Sequence, residues 1–122
     1  MAEVEFKTAE CSAFTADIFI AGDYVVAKNI CQAYCDEVGL CVHVMPCDYV
    51  FTGGNEAGVK VGLIRYPRFK PYPDEIRKHA EQLAFKLLTG LNQGSFTIQY
   101  PTFTVWYSRR GDKEGEKIIL TL

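Results

Sequence analysis

Residues 13–39 read AFTADIFIAGDYVVAKNICQAYCDEVG, and a change of period inside that stretch decides the fold. Phe14, Ala16, Ile18 and Ile20 alternate with Thr15, Asp17, Phe19 and Ala21, the two-residue period of a strand with one buried face. Gly22 and Asp23 interrupt it. Val26, Ile30, Ala33, Tyr34 and Val38 then recur at helical spacing, and Gly39 stands where a left-handed cap closes a helix. The pattern predicts a strand over 13–21 and a helix over 24–38. Asp23 is its expected N-cap, because a carboxylate there accepts from the free N–H groups of the first turn.

The rest of the chain extends this beginning. Leu40, Val42 and Val44 alternate with Cys41, His43 and Met45, so a second strand is expected to run on to Phe51. Pro46 marks an edge position or a bulge, since proline donates no ladder bond. Thr52 to Gly58 reads as a hairpin loop, and Val59, Val61 and Leu63 as a third strand. Pro67, Pro71 and Pro73 break regular structure. Pro73-Asp74-Glu75 opens a second helix, expected over 74–89, with its acids at the positive end of the dipole. Phe96, Ile98 and Tyr100 begin a fourth strand, expected to bend at Pro101 and continue to Tyr107. Short terminal strands are expected at 3–7 and 117–122, the latter pairing with 102–108. With right-handed crossovers this order gives an α+β, ferredoxin-like βαββαβ sandwich: two helices on one face of an antiparallel sheet of spatial order 4-1-3-2, with extra terminal strands. Residues 1–122 are expected to form one domain with its core over about 13–108.

Composition limits the partners. The 122 residues are 48% hydrophobic and 23% charged, with a formal net charge of -2. A slightly acidic chain does not fit general nucleic-acid binding, which wants a basic surplus. The apolar runs are broken by Asp, Lys or Gly below the ~18 residues that a spanning helix needs. The alternating start at Met1–Lys7 lacks the form of a secretory signal, so a cytoplasmic location is expected. Five cysteines, at 11, 31, 35, 41 and 47, form no C-x-x-C pair and read as reduced, structural thiols without a metal. No cofactor is implied.

The expected topology brings the ends of strands three and four to one edge. Arg65, Tyr66, Arg68 and Lys70 would meet Trp106, Arg109 and Arg110 there, gathering five of the thirteen basic residues. Guanidinium forks and aromatic faces suit a phosphate, a carboxylate or a stacked base. Arg65, Tyr66, Arg68, Trp106, Arg109 and Arg110 are therefore the candidate ligand-binding residues. Gly53-Gly54 lacks the lysine and the strand-to-helix setting of a phosphate loop and reads as hairpin chemistry. The histidines, His43 and His79, belong to no nucleophile–base–acid pattern. Large apolar residues expected on the sheet face away from the helices (Phe19, Phe103, Val105, Tyr107) favour a homo-oligomer.

Ile18-Phe19-Ile20-Ala21-Gly22-Asp23, Val38-Gly39-Leu40-Cys41-Val42, Tyr49-Val50-Phe51-Thr52-Gly53-Gly54 and Val61 to Phe69 together resemble small uncharacterised proteins encoded by phages and prophages, over roughly residues 16–110. The resemblance implies an accessory or counter-defence factor in the host cytoplasm and carries over no functional residue. The resulting expectation is a non-enzymatic binding protein that sequesters a nucleotide-like anion or blocks a host protein. Two alternatives stand beside it: a small hydrolase using Asp23, His43 or a cysteine, and a structural or interaction component of a particle.

Overall fold

The computed structural model describes residues 4–69 and 71–109. The elements follow the order β1 (Thr15–Ala21), α1 (Tyr24–Val38), β2 (His43–Phe51), β3 (Gly54–Ile64), α2 (Pro73–Gly90), β4 (Ser95–Gln99) and β5 (Thr104–Ser108). The strands form one antiparallel sheet of order β2-β3-β1-β4-β5. This is the ferredoxin-like βαββαβ sandwich, with β5 as an extra strand at its edge among the described residues.

Both helices cover the same sheet face. Ala16, Ile18 and Ile20 of β1 lie opposite Leu63, Val61 and Val59 of β3, and all six are buried. Ile76, Ala80, Leu83, Ala84, Leu87 and Leu88 of α2 close over them. The spacing of these residues makes one apolar stripe, so the helix and the inner sheet face bury each other.

Local chemistry sets the ends. Asp23 caps α1 by accepting from the Val26 N–H at 3.0 Å, and Gly39 ends it at φ 71°. Asp23→Ala is expected to cost about 1 kcal/mol, measured by denaturant unfolding. On α2, Pro73 occupies the first turn and the Glu75 carboxylate accepts from the Tyr72 N–H at 3.4 Å.

Three expectations need correction. The 52–58 loop shrinks to Thr52-Gly53, because Phe51 already pairs with Gly54 and β3 runs through Asn55–Gly58. Gly53 supplies the positive φ of 87° that so tight a turn requires. The fourth strand does not continue past Pro101. The Tyr100 N–H donates to the Phe103 carbonyl at 2.8 Å, so the chain reverses and β5 pairs back onto β4. Residues 4–7 form no strand, and Val4 and Phe6, which would have had to bury one face of it, are exposed. The strand expected at 117–122 lies outside the described residues.

Among the described residues no helix is long and apolar enough to cross a membrane. The cysteines are free, and no group of metal-ligating side chains occurs among the described residues.

Candidate functional site

The reversal at Pro101 separates the candidate ligand residues. Thr15, Ile64 and Gln99 mark one end of the sheet, and Arg65, Tyr66 and Arg68 follow β3 out of that end. Because β5 runs back, Arg109 emerges at the opposite end. Its N–H donates to the Gly94 carbonyl and its Nε to the Gln93 carbonyl, both at 2.8 Å. The basic edge expected from Arg65, Arg68 and Arg109 therefore does not form. Arg110 lies outside the described residues.

Arg65 has a structural task instead. Its Nε donates to the Pro71 carbonyl at 2.8 Å, and its Nη1 to the Ser12 hydroxyl at 2.7 Å. It ties the segment before β1 to the segment before α2. Arg65→Ala is expected to cost about 2 kcal/mol, the net worth of its charge-assisted bonds. Faster amide exchange around residues 11–14 and 71–72 would mark the loss. Tyr66 is half-buried, and a hydrogen bond with Cys41 pushes its hydroxyl above the ordinary tyrosine range. Arg68 is exposed and packs over Phe69 at 5.8 Å.

The hydrolase residues are also apart or occupied. The Asp23 carboxylate is spent on its cap. The His43 ring lies against Gly62 on the sheet face away from the helices, where a Cβ on that glycine would meet Nε2 at 2.0 Å. His79 sits between the helices, with Nδ1 2.8 Å from the Tyr34 hydroxyl, which donates to Gln82 at 2.9 Å. Since that hydroxyl's one proton goes to Gln82, Nδ1 must be the donor to Tyr34.

The face away from the helices carries a different constellation. Register places Met45, Lys60, Phe19, Thr97 and Trp106 in one row across all five strands. Of the residues expected there, Phe19 belongs to this face. Val105 and Tyr107 turn to the helix side, where Tyr107 packs on Phe85 at 5.3 Å, and Phe103 meets Tyr100 and Arg77. Trp106, 42% exposed, takes the outward position on β5. The alternation was readable, but its phase changed with the turn at Pro101.

Beside that row lies a groove of about 210 Å³ whose lining includes Phe19, Tyr49, Glu56, Gln93, Ser95 and Thr97. Gly58 makes room for it. A Cβ there would meet Tyr49 Cε2 at 2.4 Å and the Ile20 carbonyl at 2.6 Å, so only glycine lets the Tyr49 ring lie down on β3. The Tyr49 hydroxyl donates to the Val59 carbonyl at 2.5 Å. Burial first, and Cys47 second, push this hydroxyl well above the ordinary tyrosine range. Tyr49 therefore offers the groove its ring, while Glu56, opposite it in the ladder, offers a carboxylate. The Lys60 ammonium stands 5.8 Å from the Phe19 ring centroid. Trp106 adjoins the groove through Thr97, and Arg109 through Gln93. Sequence reasoning missed Glu56, which fell in the stretch read as a hairpin loop, and Gln93, which lies between the second helix and the fourth strand. The signal that was present is the alternation of Glu56 with Gly58 and Lys60.

A second groove, about 340 Å³, lies between α1 and β2 and is lined by Lys28 and three cysteines among others, with no carboxylate.

The architecture defines a ferredoxin-like α+β protein whose polar groove lies on the open sheet face. No protein-family model matches the sequence, and no curated protein does. Two solved structures share the fold. A phage SAM lyase in the apo state has a TM-score of 0.62 at 15% identity, covering 82% of this chain and 92% of that one. A phage SAM lyase in complex with S-methyl-5'-thioadenosine has a TM-score of 0.61 at 12% identity, covering 86% and 96%. The likeness bears out the resemblance to phage proteins. It overturns the expectation of a non-enzymatic binder, since both of those structures are of a lyase, and it sets the enzymatic alternative, as a class, ahead of that expectation.

Proposed function

We propose that the chain is a lyase acting on a sulfonium nucleoside of the S-adenosylmethionine type and releasing S-methyl-5'-thioadenosine. The observation that carries this reading is the fold shared, over more than four-fifths of this chain and nine-tenths of the other, with a phage SAM lyase that binds that thionucleoside.

The chemistry explains why no nucleophile–base pattern stands out. The bond that breaks joins the sulfonium sulfur to the γ-carbon of the amino-acid chain. Its electron pair returns to sulfur, leaving a neutral thioether. The substrate's own carboxylate can bond to the γ-carbon and close a lactone, so atoms and charges balance with no protein nucleophile. Opposite charges annihilate in this step. An aromatic, weakly polar wall against the reacting pair favours it, because water would stabilise the separated charges of the ground state. Holding the folded-back conformer supplies further rate.

The groove on the open face fits these demands better than the one beside α1, because its lining carries a carboxylate, Glu56, and the other lining carries none. Phe19 and Tyr49 provide faces for the adenine ring. Glu56 accepts from the ribose hydroxyls, as a carboxylate does at other ribose sites. Gln93, Ser95 and Thr97 supply amide and hydroxyl groups for the remaining polar edge, and Trp106 extends the aromatic wall.

About 210 Å³ is less than the ~300–1,000 Å³ of ordinary ligand pockets. A second copy of the chain against the open face would supply the missing wall, which supports the homo-oligomer reading. Such a protein works where its substrate is made, in the cytoplasm. Its counter-defence role would be destruction of a host methyl donor rather than sequestration.

Binding is tested with the thionucleoside itself. S-Methyl-5'-thioadenosine at ~100 times its Kd should stabilise the fold by about 2.7 kcal/mol and raise Tm accordingly. An unchanged Tm across millimolar thionucleoside, with adenosine equally inert, contradicts the reading.

A further inference from the structure

The groove between α1 and β2 gathers three of the five cysteines, Cys31, Cys35 and Cys41. They sit at three depths: Cys31 buried, Cys35 half-buried and Cys41 exposed. The end of α1 brings the last two together. The Gly39 and Leu40 N–H groups both return to the Cys35 carbonyl, at 2.8 and 3.4 Å, so the chain doubles back over the last helical turn. Gly39, at φ 71°, permits the reversal. As a result the Val42 N–H hydrogen-bonds the Cys35 sulfur, next in the chain to Cys41. The other cysteines lie elsewhere. Cys11 donates to the Arg65 carbonyl, and Cys47 faces Gly58 and Tyr49.

We propose that Cys35 and Cys41 form a reactive thiol pair that accepts low-molecular-weight disulfides and closes to an intramolecular disulfide across the end of α1. The exposed Cys41 thiolate attacks one sulfur of the small disulfide, forming a mixed disulfide and releasing the first thiol. The Cys35 thiolate then attacks the Cys41 sulfur and releases the second. Two protein thiols and one small disulfide give one protein disulfide and two small thiols. Burial raises the Cys35 thiol, and the Val42 N–H bond to its sulfur works against that rise. Cys31 stays out of the exchange, because burial pushes its thiol up to about 12. The ring closed over residues 35–41 contains the last turn of α1 and the cap that reverses the chain.

The test exposes the full chain to glutathione disulfide and maps it by Asp-N digestion. Cleavage before Asp23, Asp36 and Asp48 separates a 23–35 peptide from a 36–47 peptide. The two should appear joined, lighter by two hydrogens than their sum. The link should survive in the Cys31→Ser, Cys47→Ser double variant and vanish in Cys41→Ser. In Cys35→Ser, a glutathione adduct should instead accumulate on Cys41, a readout that does not depend on the double variant folding. Separate peptides from the oxidised wild type, or a lasting adduct on Cys41 with Cys35 present, would overturn the proposal.

Discussion

Glu56→Ala should lower kcat/KM for S-adenosylmethionine about a hundredfold, with most of the loss in KM. The size follows from what is removed: two charge-assisted hydrogen bonds to a ribose diol, together about 2.7 kcal/mol of net binding. The division between kcat and KM follows from where charge changes. The ribose keeps its charge throughout the reaction, so its contacts hold substrate and transition state alike, and uniform binding enters KM. A carboxylate beside the sulfonium would behave differently, because it would stabilise the charged ground state and lose its partner as sulfur becomes neutral. Its removal would raise kcat. Steady-state kinetics of Glu56→Ala and Glu56→Gln distinguish the two placements. Arg68→Ala, exposed at the other end of the sheet, should leave both constants unchanged.

Phe96→Ala is expected to destabilise the fold by ~3–5 kcal/mol, the range for emptying a buried aromatic site. Phe96 is 2% exposed and the largest fully buried side chain. Its ring stacks on Tyr107 at 5.0 Å and meets Phe85 edge-on at 5.1 Å, so it joins β4, β5 and α2. The loss leaves two rings facing a void that the short β4–β5 hairpin cannot close. Against a typical ~5–15 kcal/mol of total stability this is a large share. Thermal unfolding should fall by on the order of 10–20 °C. Val50→Ala, on the exposed outer strand, should shift stability by no more than ~0.5 kcal/mol. Phe96 also lines the groove, so its variant should lose affinity for the thionucleoside even where it remains folded.

The fold was legible wherever period and cap agreed. Residues 13–39 show a strand period, an Asp N-cap, a helix period and a glycine C-cap, and the helix bounds at 24 and 38 match those observed. Sheet order followed from connection handedness alone. The failure at Pro101 has a definite cause. Tyr100-Pro101-Thr102-Phe103 places proline at the second position of a four-residue turn, where its fixed φ suits reversal. Apolar residues on both sides of it concealed the turn within an apparently continuous strand. That one error moved Arg109 to the other end of the sheet and dispersed the predicted basic site.

The groove was hidden for a different reason. Its residues come from β1, the β2–β3 hairpin and the start of β4, and each alone reads as an outward strand position or a turn. Phe19 was seen as exposed apolar surface, which is also what a stacking platform looks like before its neighbours are placed. A substrate that carries both its nucleophile and its leaving group leaves little catalytic signature for sequence reasoning to detect.

The most direct measurement is chromatography of S-adenosylmethionine incubated with the purified chain. The account predicts its conversion to S-methyl-5'-thioadenosine over many turnovers, with the product growing in proportion to protein. Unconverted substrate, or products that retain the sulfur–γ-carbon bond, would contradict it.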